Sequence, residues 1–211
     1  MNYTLKEHLL LSLPFNKNDV LWRVGNTTQD KSKGNALGYI DARVVMERLD
    51  EVVGNENWQS ITRKDGDTYF CQLTVCGVTK TDGAGATDFE GEKGGSSDAF
   101  KRAAVSFGIG RYLYELSDYN TWVPLEGGKR IIWEDVNGEK VNTVLHRAMV
   151  NVSKRAIKKI FDRIDTPELF EEITTNPLFR DCMVGWNASD KEDINKRYKH
   201  MKDMFGSMNA A

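Results

Sequence analysis

The sequence predicts an α+β chain: an antiparallel β-meander with one helix packed on it, a β-β-β-α core, followed by a C-terminal hairpin and a helical segment. Three observations predict it. Tyr69, Cys71, Leu73 and Val75 recur at every second position, the period of a half-buried strand. Phe100, Ala103, Ala104 and Phe107 recur at helical spacing just after a run of Gly and Ser. Beyond Val150 the pattern is helical and highly charged, over about 151–163, 166–175 and 188–205.

Taken in order, a first helix covers Leu5 to Leu13 and is stopped by Pro14. Val20 to Val24 reads as a short strand. Gly25 to Gly38, rich in Gly, Asn, Thr and Ser, reads as a mobile surface loop. Asp41 then caps a helix, with Ile40 and Val45 placed as a hydrophobic staple. Its apolar stripe is Ala42, Val45, Met46, Leu49 and Val52, and Gly54 ends it. Trp58 to Arg63 and Tyr69 to Val78 are two strands joined by the turn Lys64-Asp65-Gly66-Asp67, and a third strand is expected near Ala86 to Phe89. Gly94 to Asp98 is a loop ending in a capping cluster. The helix after it bends at Gly108 and Gly110 before Arg111 to Tyr114 extends it. Arg130 to Glu134 and Lys140 to Leu145 form a hairpin around Asn137-Gly138, a favoured two-residue turn.

The bulk numbers narrow the function. With 211 residues, 40% hydrophobic and 28% charged, the chain suits one globular domain, residues 1–150, with a smaller appended segment, 151–211. Three cysteines without a CxxC pair argue against a disulfide scaffold and fit a reducing cytoplasm. No run of 18 apolar residues exists, so no membrane span is expected, and Leu9-Leu10-Leu11 is too short for a signal peptide. The formal net charge of −2 excludes a uniformly basic nucleic-acid binder. The charge is unevenly spread, however. Residues 81–92 carry Asp82, Asp88, Glu90 and Glu92 with no cation. Residues 93–114 carry Lys93, Lys101, Arg102 and Arg111 against Asp98 alone. A local field of this kind decides whether a phosphate backbone is attracted.

The most informative stretch is Lys93 to Tyr114. A helix that buries Phe100, Ala103, Ala104 and Phe107 holds Lys101 and Arg102 on a rigid base, and fixed cations beside a groove suit a phosphate backbone. The alternative is the solvated face of an amphipathic helix. The ordered pattern Tyr39-Ile40-Asp41-x-Arg43-Val44, Gly54, Trp58, the meander, then Lys101-Arg102-Ala103-x-x-Ser106-Phe107-Gly108 resembles the DNA-binding core of the Rad-fifty-two family. It looks closest to that family's bacteriophage annealing proteins, the Sak-like branch, over about residues 20–115.

The resemblance implies ATP-independent single-stranded DNA binding and strand annealing in homologous recombination and repair, by a closed homo-oligomeric ring with DNA in an outer groove. Residues 1–150 would be the annealing and oligomerisation core. Lys101 and Arg102 match the family's paired groove cations, Tyr39 an aromatic of the groove, and Arg23 a basic residue on the strand before it. Where the family often has a third cation, Val105 stands. Arg111 is the candidate substitute, and Lys93 adds to the basic stretch. The implied partners are single-stranded DNA and further copies of the chain, with a single-strand-binding protein or an exonuclease as additional candidates. The implied location is the cytoplasm, that of a bacterial host if the protein is phage-encoded.

No catalytic residue, metal or cofactor is expected. The acidic residues of the 82–92 hairpin could be read as a two-metal nuclease cluster, but a glycine-rich setting is a poor base for metal ligands. Glu92 to Ser96 lacks the P-loop order. His8, His146 and His200 are dispersed. Trp58 is expected in the core, whereas Trp122 and Trp133, flanking Gly127-Gly128, remain open between core and base stacking. The run Lys154-Arg155-Lys158-Lys159 with Arg163 is a solvated face or an auxiliary DNA contact. The competing functions are a non-annealing single-strand-binding protein, a divalent-metal nuclease and a scaffolding ring.

Overall fold

The computed structural model describes residues 2–85, 91–133, 135–136 and 139–208. Its first half runs α1 (Leu5–Leu11), β1 (Val20–Thr27), β2 (Lys33–Ile40), α2 (Ala42–Val53), β3 (Trp58–Asp65), β4 (Thr68–Val75), β5 (Val78–Gly85) and α3 (Gly91–Val105). The second half runs β6 (Trp122–Glu126), β7 (Arg130–Ile131), β8 (Asp135–Val136), β9 (Glu139–Lys140), α4 (Val141–Phe161), α5 (Pro167–Thr175), α6 (Pro177–Asp181) and α7 (Ala188–Met208). Short 3-10 segments cover Asn55–Asn57 and Arg111–Asp118. The α+β prediction holds: antiparallel sheets of order β1-β2-β6-β7, β3-β4-β5 and β8-β9 carry the strands. The chain forms two compact units, Met1–Leu13 with Ile40–Arg111, and Pro14–Tyr39 with Tyr112–Ala211.

The first unit is built on the β3-β4-β5 meander. Trp58 pairs with Val75 and Asp65 with Thr68, then Val75 with Val78 and Thr68 with Gly85. As the alternation requires, Tyr69, Cys71, Leu73 and Val75 are buried, and so is the α3 stripe of Phe100, Ala103, Ala104 and Phe107. Each fully buried Leu or Phe stabilises the layer by about 1.5–3 kcal/mol relative to exposure. The third strand lies earlier than the sequence suggests. Cys76 and Gly77 form its two-residue turn, with φ of 47° and 81°, so β4 stops at Val75 and β5 begins at Val78. Two positive φ values make a turn that matches strand twist, but cysteine is not a turn signal. The region Ala86 to Phe89 lies outside the described residues.

Gly94 to Asp98 is not a loop; it is helix, because α3 starts at Gly91. The physical reason is packing. A Cβ on Gly95 would stand 2.4 Å from Tyr69 Cδ2, so the missing side chain lets α3 close onto β4. On α2 the cap is as expected: Asp41 accepts from the Arg43 N–H at 2.9 Å, and Ile40 and Val45 are both buried. The stripe differs in two places, since Val53 and not Val52 is the buried valine at the helix end. Met46 is exposed, while Arg48 is buried and donates to the Leu13 carbonyl at 2.7 Å. A guanidinium can enter a core where a carbonyl receives it.

The second unit turns the expected loop Gly25–Gly38 into the paired strands β1 and β2. Cβ atoms on Gly34 and Gly38 would lie 2.8 Å from Leu125 Cδ1 and Leu116 Cδ1, so these glycines serve close packing, not mobility. The connecting turn is ordered by Asp30, which accepts from the Thr28 hydroxyl at 2.6 Å and from the Ser32 N–H at 3.0 Å. Those bonds hold its carboxyl at about 2, led by the one from Thr28.

Lys33 pairs with Pro124 and Asn35 with Trp122, and β7 returns around Gly127-Gly128. Ala36, Val123, Leu125, Val141 and Leu145 form one core cluster, with Trp22, Val24 and Ile131 against it. The expected Arg130–Glu134 strand shrinks to Arg130–Ile131, and Val141 to Leu145 is helix. The reason is that Val141 and Leu145 are four residues apart and bury one helical face in that cluster. The turn at Asn137-Gly138 lies outside the described residues. No helix among the described residues is long and apolar enough to cross a membrane.

Candidate nucleic-acid interface

Lys101 and Arg102 project from α3 on adjacent positions, 100° apart around the helix. Lys101 Nζ lies 2.8 Å from Asp98 Oδ1, one turn earlier. It also stands within reach of the α2 N-terminus: the Asp41 carboxyl is held below the usual carboxylate range, chiefly by the Arg43 guanidinium and in lesser part by the charge of Lys101. Arg102 points the other way, toward β5, where its Nε donates to Asp82 Oδ1 at 3.2 Å. Asp82 also accepts from the Gly83 N–H at 2.7 Å. Half of the Arg102 side chain and a quarter of the Lys101 side chain remain exposed.

Both cations are therefore held by carboxylates at the surface, and such pairs stabilise by only about 0–1 kcal/mol. A phosphate can replace either acid at little cost. Asp82, one of the acids of the suspected metal cluster, instead anchors Arg102. Among the described residues no three His, Cys, Asp or Glu side chains are placed to hold a metal ion. Asp88, Glu90 and the Glu92 side chain lie outside the described residues.

The end of α3 gathers two more cations. Arg111 donates from Nε to the Val105 carbonyl at 3.0 Å and from Nη2 to the Ser106 carbonyl at 2.9 Å. Lys80 donates to the same Ser106 carbonyl at 2.7 Å and sits 4.5 Å over the Phe107 ring. Burial, then the neighbouring Arg111 charge, lowers the Lys80 pKa. The two cations satisfy the last carbonyls of the helix and its negative end. Arg111 is exposed and has five donors, of which two are used among the described residues. Sequence reasoning missed Lys80 because β5 was expected further along. With the strand correctly placed, its position two residues after Val78 would have turned it toward α3.

Lys93 lies in the first turn of α3. Arg23 and Tyr39 belong to the second unit. Strand alternation places them on one face of its sheet, since β1 buries Val20 and packs Trp22 and Val24 against the core, whereas β2 buries Ala36. Arg23 is exposed and Tyr39 half-buried. Within the first unit, Lys101, Arg102 and Arg111 share α3 and its exit. Within the second, Arg23 and Tyr39 share a sheet.

The other candidates resolve in different ways. Trp58 is half-buried, with its indole N–H donating to Asp50 at 2.7 Å and its ring 6.1 Å from Phe100. Trp122 and Trp133 are 41% and 48% exposed. In the C-terminal basic run, Arg155 pairs with Glu115 and Asp118, Lys159 with Glu115 and Lys158 with Asp193. The acids that meet this helix come from segments distant in sequence, so much of its positive charge is offset.

Comparison with known proteins extends these observations. A family model described as "Rad52/22 family double-strand break repair protein" matches residues 5–65 and 61–126, from α1 into β6. The chain is similar to the single-stranded DNA-binding protein DdrA of Deinococcus deserti, 40% identical over 125 residues, which cover 57% of this chain and 61% of that protein. It is also similar to the DdrA of Deinococcus radiodurans, 34% identical over 125 residues, covering 57% and 59%. The match thus spans about three-fifths of the length of these curated relatives. No solved structure matches the chain.

Proposed function

The chain belongs to the Rad52/22 family of double-strand break repair proteins, and from that premise we propose that it binds single-stranded DNA and anneals complementary strands without ATP, as a subunit of a homo-oligomeric ring. The observation that carries this reading is the pair Lys101 and Arg102, raised on a rigid helix and each paired with a surface carboxylate that a phosphate can replace. Backbone contacts of this kind neutralise phosphates and leave base edges free to meet a second strand. Annealing then needs no nucleotide fuel, since stacking in the product duplex releases about 1.4 kcal/mol per step. Lys93, Arg111, Arg23 and Tyr39 are further contacts, Tyr39 through its ring. Residues 1–150 form the binding and oligomerisation core and 151–211 a charged helical segment. The protein acts in the cytoplasm, through binding and not catalysis.

The ring reading is supported by β3. It is an edge of its sheet, and every residue after Trp58 in it is exposed. An open edge invites pairing with a neighbour, and closed symmetry removes open ends.

Mixing two complementary oligonucleotides with the protein and no ATP should accelerate duplex formation. A slower reaction would identify a protector of single strands instead. Light scattering at micromolar concentration should give a mass several times that of one chain, and a monomer mass would remove the ring.

Asp82→Asn supplies a finer test, because it keeps the acceptor for the Gly83 N–H and removes the charge that competes for Arg102. Single strands should bind about two- to five-fold tighter, the size of one exposed ion pair. Unchanged affinity would mean that Arg102 does not reach the strand.

A further inference from the structure

The sheet β1-β2-β6-β7 has one face in the core and one that the first-unit cations say nothing about. Its core face is set by small and apolar residues. Ala36, Val123 and Leu125 are buried, and positions 34 and 38 leave no room for a Cβ against Leu125 and Leu116. By alternation Lys33, Asn35, Leu37 and Tyr39 point the other way, as do Leu21 and Arg23 on β1. Trp122 joins them, because it is the cross-strand partner of Asn35. Leu21 is 44% and Trp122 41% exposed, and Arg23 and Lys33 are exposed as well.

Three features of this face point to one kind of occupant. Among the described residues no carboxylate pairs with Arg23 or Lys33, and the acid at the far end of β6, Glu126, is engaged by Arg130 at 3.4 Å. Among the described residues this face therefore carries positive charge without a paired acid, beside exposed aromatic surface. The backbone that carries Trp122 is held from both sides: the Trp122 main-chain N–H donates to the Asn120 side chain at 3.2 Å, and Thr121, itself buried, bonds to the Asn35 side chain while its carbonyl accepts from the Ala36 N–H at 2.9 Å. Finally, Trp122 lies opposite Asn35, four residues from Tyr39 along β2. That is about 13 Å at a strand's rise, room for three or four stacked bases. An exposed indole on a face that also carries two cations suits a base and its phosphates, because every base has a face to stack and every nucleotide a charge to neutralise.

We propose that this outer face is a base-stacking platform for single-stranded DNA, in which Trp122 stacks a base and Lys33 and Arg23 hold the adjoining phosphates. The inference rests on the single-strand-binding reading and adds Trp122 and Lys33 to it. Trp122 supplies affinity through the base, so its removal leaves the number of neutralised phosphates unchanged.

The test compares Trp122→Ala and Trp122→Phe with the unaltered protein, using an oligothymidylate and an abasic phosphodiester chain of equal length. Trp122→Ala should bind oligothymidylate about 5- to 100-fold more weakly, the range for losing one stacked base, with the same salt slope. Trp122→Phe should recover most of the loss, and the abasic chain should not distinguish the three proteins. Lys33→Ala should make the slope shallower by about 0.7. Equal binding of oligothymidylate by Trp122→Ala and the unaltered protein would overturn the platform and leave single-strand binding standing. An equal loss on the abasic chain would overturn it too, as would an altered particle mass at unchanged affinity, which would assign the face to contact between copies. If the unaltered protein binds no oligonucleotide at low salt, the single-strand reading itself fails and takes the platform with it.

Discussion

Replacing Lys101 and Arg102 together by alanine is expected to weaken single-strand binding about 10- to 30-fold at 0.1 M salt. Each neutralised single-strand phosphate contributes roughly 0.7 to the log–log salt slope, hence about a factor of five at that concentration. Two such contacts multiply, and the slope should become shallower by about 1.4. The loss should be similar for unrelated sequences, because phosphate contacts do not read bases. Annealing should slow in step, while the particle mass stays unchanged.

The fold should tolerate the change. Arg102 is half exposed and Lys101 a quarter exposed, and their pairs with Asp82 and Asp98 lie at the surface and not in the core. Substitutions of this kind usually cost within about 0.5 kcal/mol. Fluorescence anisotropy across a salt series reads the affinity and the slope together. If the double variant binds and anneals like the unaltered protein, this helix face is solvated surface only, and the groove has to be sought among other cations.

Gly95→Val should produce the largest loss of stability of any change considered for this protein. Gly95 is buried in α3, and the space its side chain would need is filled by the Tyr69 ring, with Cδ2 2.4 Å and Cε2 2.7 Å from an ideal Cβ. Tyr69 is itself 6% exposed and cannot swing into solvent without opening the layer. Overpacking a core costs typically 1–3 kcal/mol, occasionally more, and a branched side chain in a sub-van-der-Waals gap belongs at the upper end. Urea unfolding should show a midpoint lowered accordingly. An unchanged midpoint would mean that α3 does not press on β4 through Gly95. Because α3 carries the cation pair, single-strand binding should fall with stability in this variant. Low temperature, where the fold is retained, should restore part of it.

The contrast between these two substitutions shows what could be read in advance. The meander, the helix on it and the cation pair were legible because their signals are local. A period of two at Tyr69 to Val75 and a period near 3.6 at Phe100 to Phe107 each specify one buried face. Asp41 and Gly54 were equally legible as helix ends, since caps depend on a few neighbouring backbone groups.

The glycines misled. Gly95, Gly34 and Gly38 look like loop residues in sequence, yet each gives room to a side chain far along the chain: Tyr69, Leu125 and Leu116. A sequence shows that a position lacks a Cβ; it does not show which atom occupies the space. Cys76 erred in the opposite sense, taking a left-handed turn position with no residue type to announce it.

The sequence by itself determined the α+β class, the buried stripes and which residues bear charge. Only the tertiary structure decided what those charges face. Asp98 and Asp82 against Lys101 and Arg102, the α3 carbonyls against Lys80 and Arg111, and Glu115 against Arg155 and Lys159 are pairings set by packing. The same packing put Trp122 on the face that holds Arg23 and Tyr39. The physical reason is range. Periodicity and capping are settled within a turn or two of chain, whereas Coulombic and stacking partners are chosen by distance in space, which the order of residues alone does not encode.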